Sequence, residues 1–246
     1  FKPVKGEYRY QVADSKEDAL SYVGIQIYFE NDNLILDQTE FLEKSTEKMH
    51  EKKLFTETDP LRPIYALDPK EFSHIYLFEE TEANRDLTKE ELTILRAAVN
   101  TLSYMAGATG YHLQSALGQI ARGQSKGKLR HLNAMRKLFA YAYTKKDLRF
   151  IIPVPEHLPK INSVKEMKIH LTGEFDAGLG SSSSMGVDGH ARQGYFLSTG
   201  LHFDFMSVVA GRSALQSTVS LSTCEAELLS CTFCARNMVG LHNLLS

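Results

Sequence analysis

The chain has 246 residues, 43% of them apolar and 24% charged, with 28 basic against 30 acidic side chains and a net charge of −2. This is an ordinary globular composition, long enough for one large domain or two small ones. Three cysteines do not make a disulfide framework, no apolar run approaches the ~18 residues of a membrane span, and no signal segment opens the chain. The chain therefore reads as intracellular, with no membrane partner; it opens on Phe1, which leaves its native start open.

In chain order, "LSYVGIQIYFENDNLILDQ" gives two β-rich runs about Asn31-Asp32-Asn33, the pattern of a hairpin. "TEFLEKSTEKMHEKKL" follows with helical periodicity and Thr39 as its expected cap. Residues 56 to 88 are mixed, with Pro60, Pro63 and Pro69 marking irregular backbone. "LTKEELTILRAAVNTLSYMAGA" opens on a capping-box pattern, Thr88 with Glu91 three residues on, and Leu92, Leu95, Val99, Leu102 and Met105 keep helical spacing. "HLQSALGQIAR" and "HLNAMRKLFAYAYT" give two more helices around a Gly123–Gly127 loop.

Pro153, Pro155 and Pro159 in "FIIPVPEHLP" read as a stiff connector, which places a boundary near residue 160 between regions 1–160 and 161–246. Beyond it, "MKIHLTGEFDA", "RQGYFLST" and "LHFDFMSVVA" read as three strands, the last two joined by a tight turn at Gly200. Ser181 to Ser184 read as a surface loop. A helix is expected from about Thr223 to Leu245.

Charge is uneven. From Arg122 to Arg149 there are nine basic residues and one acid, Asp147, whereas Glu79 to Glu91 holds six acids against two bases. The stripe of Arg122, Lys126, Lys128, Arg130, Arg136, Lys137, Lys145 and Lys146 is a candidate nucleic-acid-binding surface or a solvated helix face. Tyr141 and Tyr143 beside Lys145 and Lys146 would stack bases or, at helical spacing, belong to the core. Cys224, Cys231 and Cys234 approach zinc spacing but share one helix, so buried helix cysteines are expected.

The segments "HLTGEFDAGLG", "RQGYFLSTG" and "STVSLSTCEAELLSC" together resemble the ribonuclease H region of copia-type retrotransposon polyproteins. Upstream, "YVGIQI" with "LILDQTEFLEK" resembles the thumb-proximal hairpin and helix of the same polyprotein, and "LRAAVNTLSYMAGATGYHLQSALGQIAR" its connection helices. The likeness spans residues 20 to 245. It implies an α+β fold, a helical thumb/connection-like part followed by an incomplete ribonuclease H-like mixed β-sheet with a packed helix. It also implies that Asp176 and Glu227 stand where that family holds catalytic, metal-binding carboxylates. Glu225, about 200° around the helix from Glu227, would face solvent. In His131 the chain matches a frequent position of the family, suited to capping or packing.

Two-metal phosphoryl hydrolysis needs clustered carboxylates. The family's site takes two further aspartates from later in its chain, whereas Asp204 is the last aspartate here; Ala177-Gly178-Leu179 replaces the usual acid and Trp; and no Tyr-x-Asp-Asp motif is present. The expectation is therefore a catalytically inactive, domesticated module serving as a scaffold or protein-interaction domain, with no cofactor, or Mg²⁺ if the site is completed elsewhere. A non-cleaving nucleic-acid binder and a fragment of an active polymerase remain as alternatives. The likeness also implies that the strand near 168–175 has an open edge, a template for another protein chain, for self-association, or for the N-terminal "GEYRYQV".

Overall fold

The computed structural model describes residues 13, 15–31, 33–58, 60–68, 72, 84–153, 170–178, 190–202 and 205–245. The "GEYRYQV" segment, Ser181–Ser184, residues 168–169 and the end of the proline connector lie outside them. The class is α+β, with five α-helices and two antiparallel sheets among the described residues. The expected mixed sheet is thus not what the described strands form: every strand pair is antiparallel.

Strands β1 (Leu20–Tyr22), β2 (Ile25–Glu30) and β3 (Asn33–Asp37) form a meander. The first apolar run is therefore two strands, split by a two-residue turn at Val23-Gly24 with φ of 49° and 81°. Positive φ at both positions is what a tight hairpin needs, and it is unusual for a β-branched valine. The Tyr104 hydroxyl holds that turn by donating to the Val23 carbonyl. Strand β4 (Phe150–Pro153) pairs with β3, so the first part of the expected connector is sheet. Proline is tolerated there because it closes a strand at the sheet's edge.

Helix α1 (Thr39–Glu51) departs from its expected cap: Thr39 is already helical, Gln38 precedes it, and the Asp37 carboxylate accepts from the Thr39 amide at 2.7 Å. Asp37 is 1% exposed and also meets Lys16 at 2.9 Å and Arg149 Nε at 3.8 Å. Burial pushes its carboxyl up, but hydrogen bonds from Thr39 and Lys16 outweigh that and hold it below the ordinary carboxylate value.

Helix α2 (Lys89–Ala108) starts with the expected capping box: the Thr88 hydroxyl accepts from the Glu91 amide at 3.2 Å and Glu91 accepts from the Thr88 amide at 2.9 Å. Arg85 adds two bonds of 2.7 Å to the Glu91 carboxylate, which lies at a pKa of about 2, chiefly through that guanidinium. Helices α3 (Gln114–Ala121) and α4 (Leu129–Thr144) complete the layer. Leu42 of α1, Leu95 and Leu102 of α2, Ile120 of α3 and Met135, Leu138 and Phe139 of α4 fill one continuous core.

Strands β5 (His170–Gly178), β6 (Arg192–His202) and β7 (Phe205–Leu215) form the second sheet in that order. The turn expected at Gly200 is displaced, since Gly200 pairs with His170 and the strands reconverge at His202 and Phe205. Helix α5 (Thr223–Leu245) covers β5 and β6. Its approach is closest at Gly173, where a Cβ would lie 2.6 Å from both Cys234 Sγ and Met238 Cε. Only glycine admits the helix there. The sheet joins the helical layer through β7: the Gln114 amide donates to the Gly211 carbonyl (2.7 Å) and accepts from the Ser213 amide (2.8 Å), and the Tyr111 hydroxyl donates to Val209 (3.2 Å).

Candidate functional site

Both carboxylates singled out in the sequence belong to the β5–α5 unit. Asp176 does not close its strand, which runs two residues further to Gly178, and it pairs with Gly194. Its neighbour Ala177 is buried with Ala191 and with Ala226, the residue before Glu227. One turn on, the Ser230 hydroxyl is shared between the carbonyls of Asp176 (2.8 Å) and Gly194 (3.2 Å). The first turns of α5 are thus fastened to the Asp176 end of β5. Strand and helix run antiparallel, Cys234 lying over Glu174 and Gly173 further along.

Alternation sets the directions. Gly173 and Ala177 face α5, so Glu174 and Asp176 project from the other face of the sheet. There Asp176 is exposed and lines a cleft of about 540 Å³ between the sheet and the helical layer, with Tyr111, His112, Gln114, Glu174, Arg192 and Phe196 also in its wall. Glu227 is half-buried and does not line that cleft. Among the described residues neither carboxylate is held by an ion pair or hydrogen bond. No group of three or more His, Cys, Asp or Glu side chains is gathered among them as a metal ion would require. Two carboxylates so disposed do not fit a two-ion centre, which draws on a larger cluster.

Glu225 is exposed, as expected from the helical angle, and has a structural task. Its amide donates to the Ser222 hydroxyl at 3.1 Å, and its carboxylate accepts from the Leu221 amide at 2.7 Å. That is a capping arrangement, legible in the Ser-x-x-Glu spacing of residues 222 to 225. Gln216 carries no such signal. It is buried, takes a hydrogen bond from Ser220, and donates at 2.7 Å to the Ala226 carbonyl, fixing where α5 begins. Of the three cysteines only Cys234 is buried; Cys231 is half-buried and Cys224 exposed, because α5 offers one face to the sheet and Cys224 lies on the other.

The basic stripe is dispersed and in part engaged. Arg136 donates to the Leu54 carbonyl at 2.7 Å, Lys146 pairs with Glu43 and lies over the Tyr143 ring, Lys145 lies over Tyr65, and Lys128 stands 4.0 Å from Asp86. Arg130 and Lys137 share a helix face, seven residues apart, and Lys126 is exposed ahead of that helix. Arg122 is half-buried after α3. Tyr141 and Tyr143 both pack against the main core, and Tyr141 meets His112 edge-on. His131 is buried and accepts the Lys128 amide on Nδ1 at 3.0 Å, so it caps and packs at once; burial lowers its pKa and favours the neutral ring.

Comparison with protein-family models, with curated proteins and with solved structures finds no match to this chain. Among the described residues no helix is long and apolar enough to cross a membrane.

Proposed function

We propose that the chain is a retroelement-derived reverse transcriptase/ribonuclease H-like module that no longer cleaves and serves as a scaffold for protein interaction. The observation that carries this reading is the β5–α5 unit. Three antiparallel strands are followed by a helix whose Ala226, beside Glu227, packs on Ala177, beside Asp176, and no group of three or more His, Cys, Asp or Glu side chains gathers among the described residues. Asp176 opens into the cleft on the far face of the sheet and Glu227 does not line it, which supports a module without the clustered carboxylates that two-ion chemistry draws on. The surface features agree with an interaction role. β5 is an edge strand among the described strands, and Leu228 and Val239 on α5 are exposed.

The test is an assay of labelled RNA–DNA hybrid with the 246-residue chain in Mg²⁺ or Mn²⁺, at low and high salt. The expected result is no cleavage above that of the Asp176→Asn and Glu227→Gln variants. Metal-dependent cleavage lost in those variants would overturn the reading and show the site completed by a group from elsewhere. Tight, salt-sensitive hybrid binding without cleavage would instead make the chain a nucleic-acid binder, which loss on Lys126→Glu and Lys137→Glu would localise to the basic stripe.

A further inference from the structure

Helix α5 is apolar on two sides. Ala226, Ser230 and Cys234 face the sheet, and on the opposite side Cys224, Leu228, Cys231, Ala235 and Val239 form a stripe at spacings of four, three, four and four residues. Leu228 is 63% and Val239 59% exposed, so the stripe presents apolar surface at helical spacing. We infer that this stripe is a dimer interface on which a second copy of the chain lays its own α5 antiparallel, about a twofold axis beside Cys231.

Three observations favour a second copy. The first is steric. With the axis between Cys231 and Thr232, Leu228 of one copy meets Ala235 of the other and Cys224 meets Val239. Each layer then sets a large side chain against a small one, which lets two helices approach to about 8–10 Å. The second is charge. Glu225 and Arg236 lie on one flank of the stripe, about three turns apart. A twofold axis brings each Arg236 to the partner's Glu225 flank and forms two ion pairs, whereas within the chain Arg236 has no ion pair or hydrogen bond among the described residues. The third concerns the alternative surface. Self-pairing along the β5 edge would bring the exposed Glu174 and Asp176 of both copies together, and like charges opposed across strands repel. The helix face is therefore the self-complementary one. One such helix pair buries less than about 1,200 Å² in total, so the dimer is weak and concentration-dependent.

Sedimentation equilibrium of the 246-residue chain over about 1–300 µM tests this, with a monomer–dimer transition expected in that range. Leu228→Glu, at an exposed position, should weaken dimerisation by at least about tenfold with unchanged circular dichroism. Arg236→Glu should weaken it less, and Glu225→Arg with Arg236→Glu should restore it. A short bis-maleimide should link copies of Cys224→Ser through Cys231. It should not link copies of Cys231→Ser, because an antiparallel pair holds the two Cys224 about 22 Å apart. A chain that stays monomeric throughout, a dimer indifferent to Leu228→Glu, or cross-linking through Cys224 would each overturn the inference.

Discussion

The helical layer and the β5–β6–β7–α5 unit differ in how they are held together. In the first, twenty buried residues among those described, from four helices and their connections, form one continuous cluster. In the second, the buried apolar residues among those described fall into two small groups, Ala177 with Ala191 and Ala226, and Tyr195 with Leu197 and Cys234. One helix on one face of three strands cannot enclose a core. The unit compensates with polar fastenings (Ser230, Gln216, Gln114) and leaves the outer face of α5 uncovered. A helical layer stabilised by its own burial therefore supports a sheet stabilised largely by attachment, and the helix that covers that sheet keeps Leu228 and Val239 exposed.

Substitutions in the two regions should differ in the size and reach of their effects. The largest effect belongs to the helical core. Leu102 is fully buried in the continuous core, so Leu102→Ala should cost about 3 kcal/mol in urea unfolding, and all probes should shift together. Gln114→Ala should cost about 2 kcal/mol and act on one side. It removes bonds to Gly211 and Ser213, so amide exchange should accelerate in β7 while α2 stays protected. Equal acceleration in both would mean that the two parts unfold as one.

The two capping arrangements sharpen the contrast. Glu91 caps α2 and is held by Arg85, and Glu91→Ala should cost about 1 kcal/mol near neutral pH. The folded pKa is depressed, so this stabilisation is present above the ordinary value of 4.5 and is lost as pH falls towards about 2. Wild type and variant should therefore converge at the acid end of a pH series of unfolding curves. Glu225 caps α5 with no ion pair among the described residues of its own chain, and Glu225→Ala in the monomer should cost only about 0.5 kcal/mol, measurable as faster exchange in the first turn of α5.

Much of the helical layer was legible because its signals are local. The box at Thr88 and Glu91 and the spacing of Leu92 to Met105 specify α2 before any contact is considered. Non-local pairing was not legible. Nothing near Phe150 announces that it will pair with Leu36, 114 positions earlier, so a strand read as a connector. Thr39 looked like a cap because hydroxyls often are, yet the carboxylate two residues before it was better placed to accept its amide. The cysteines misled in the same way, since spacing along a helix does not say which face will be covered.

For the candidate site the division is sharper still. The local sequence is enough to set carboxylates in a strand and near a helix start. Tertiary structure alone decided that Ala177 meets Ala226, that Asp176 opens into a cleft with the helical layer, and that the outer face of α5 stays bare. The physical reason is range. Side-chain chemistry and local periodicity are properties of neighbours in the chain, whereas burial and facing depend on which distant surfaces meet, and that is settled only when the whole chain packs.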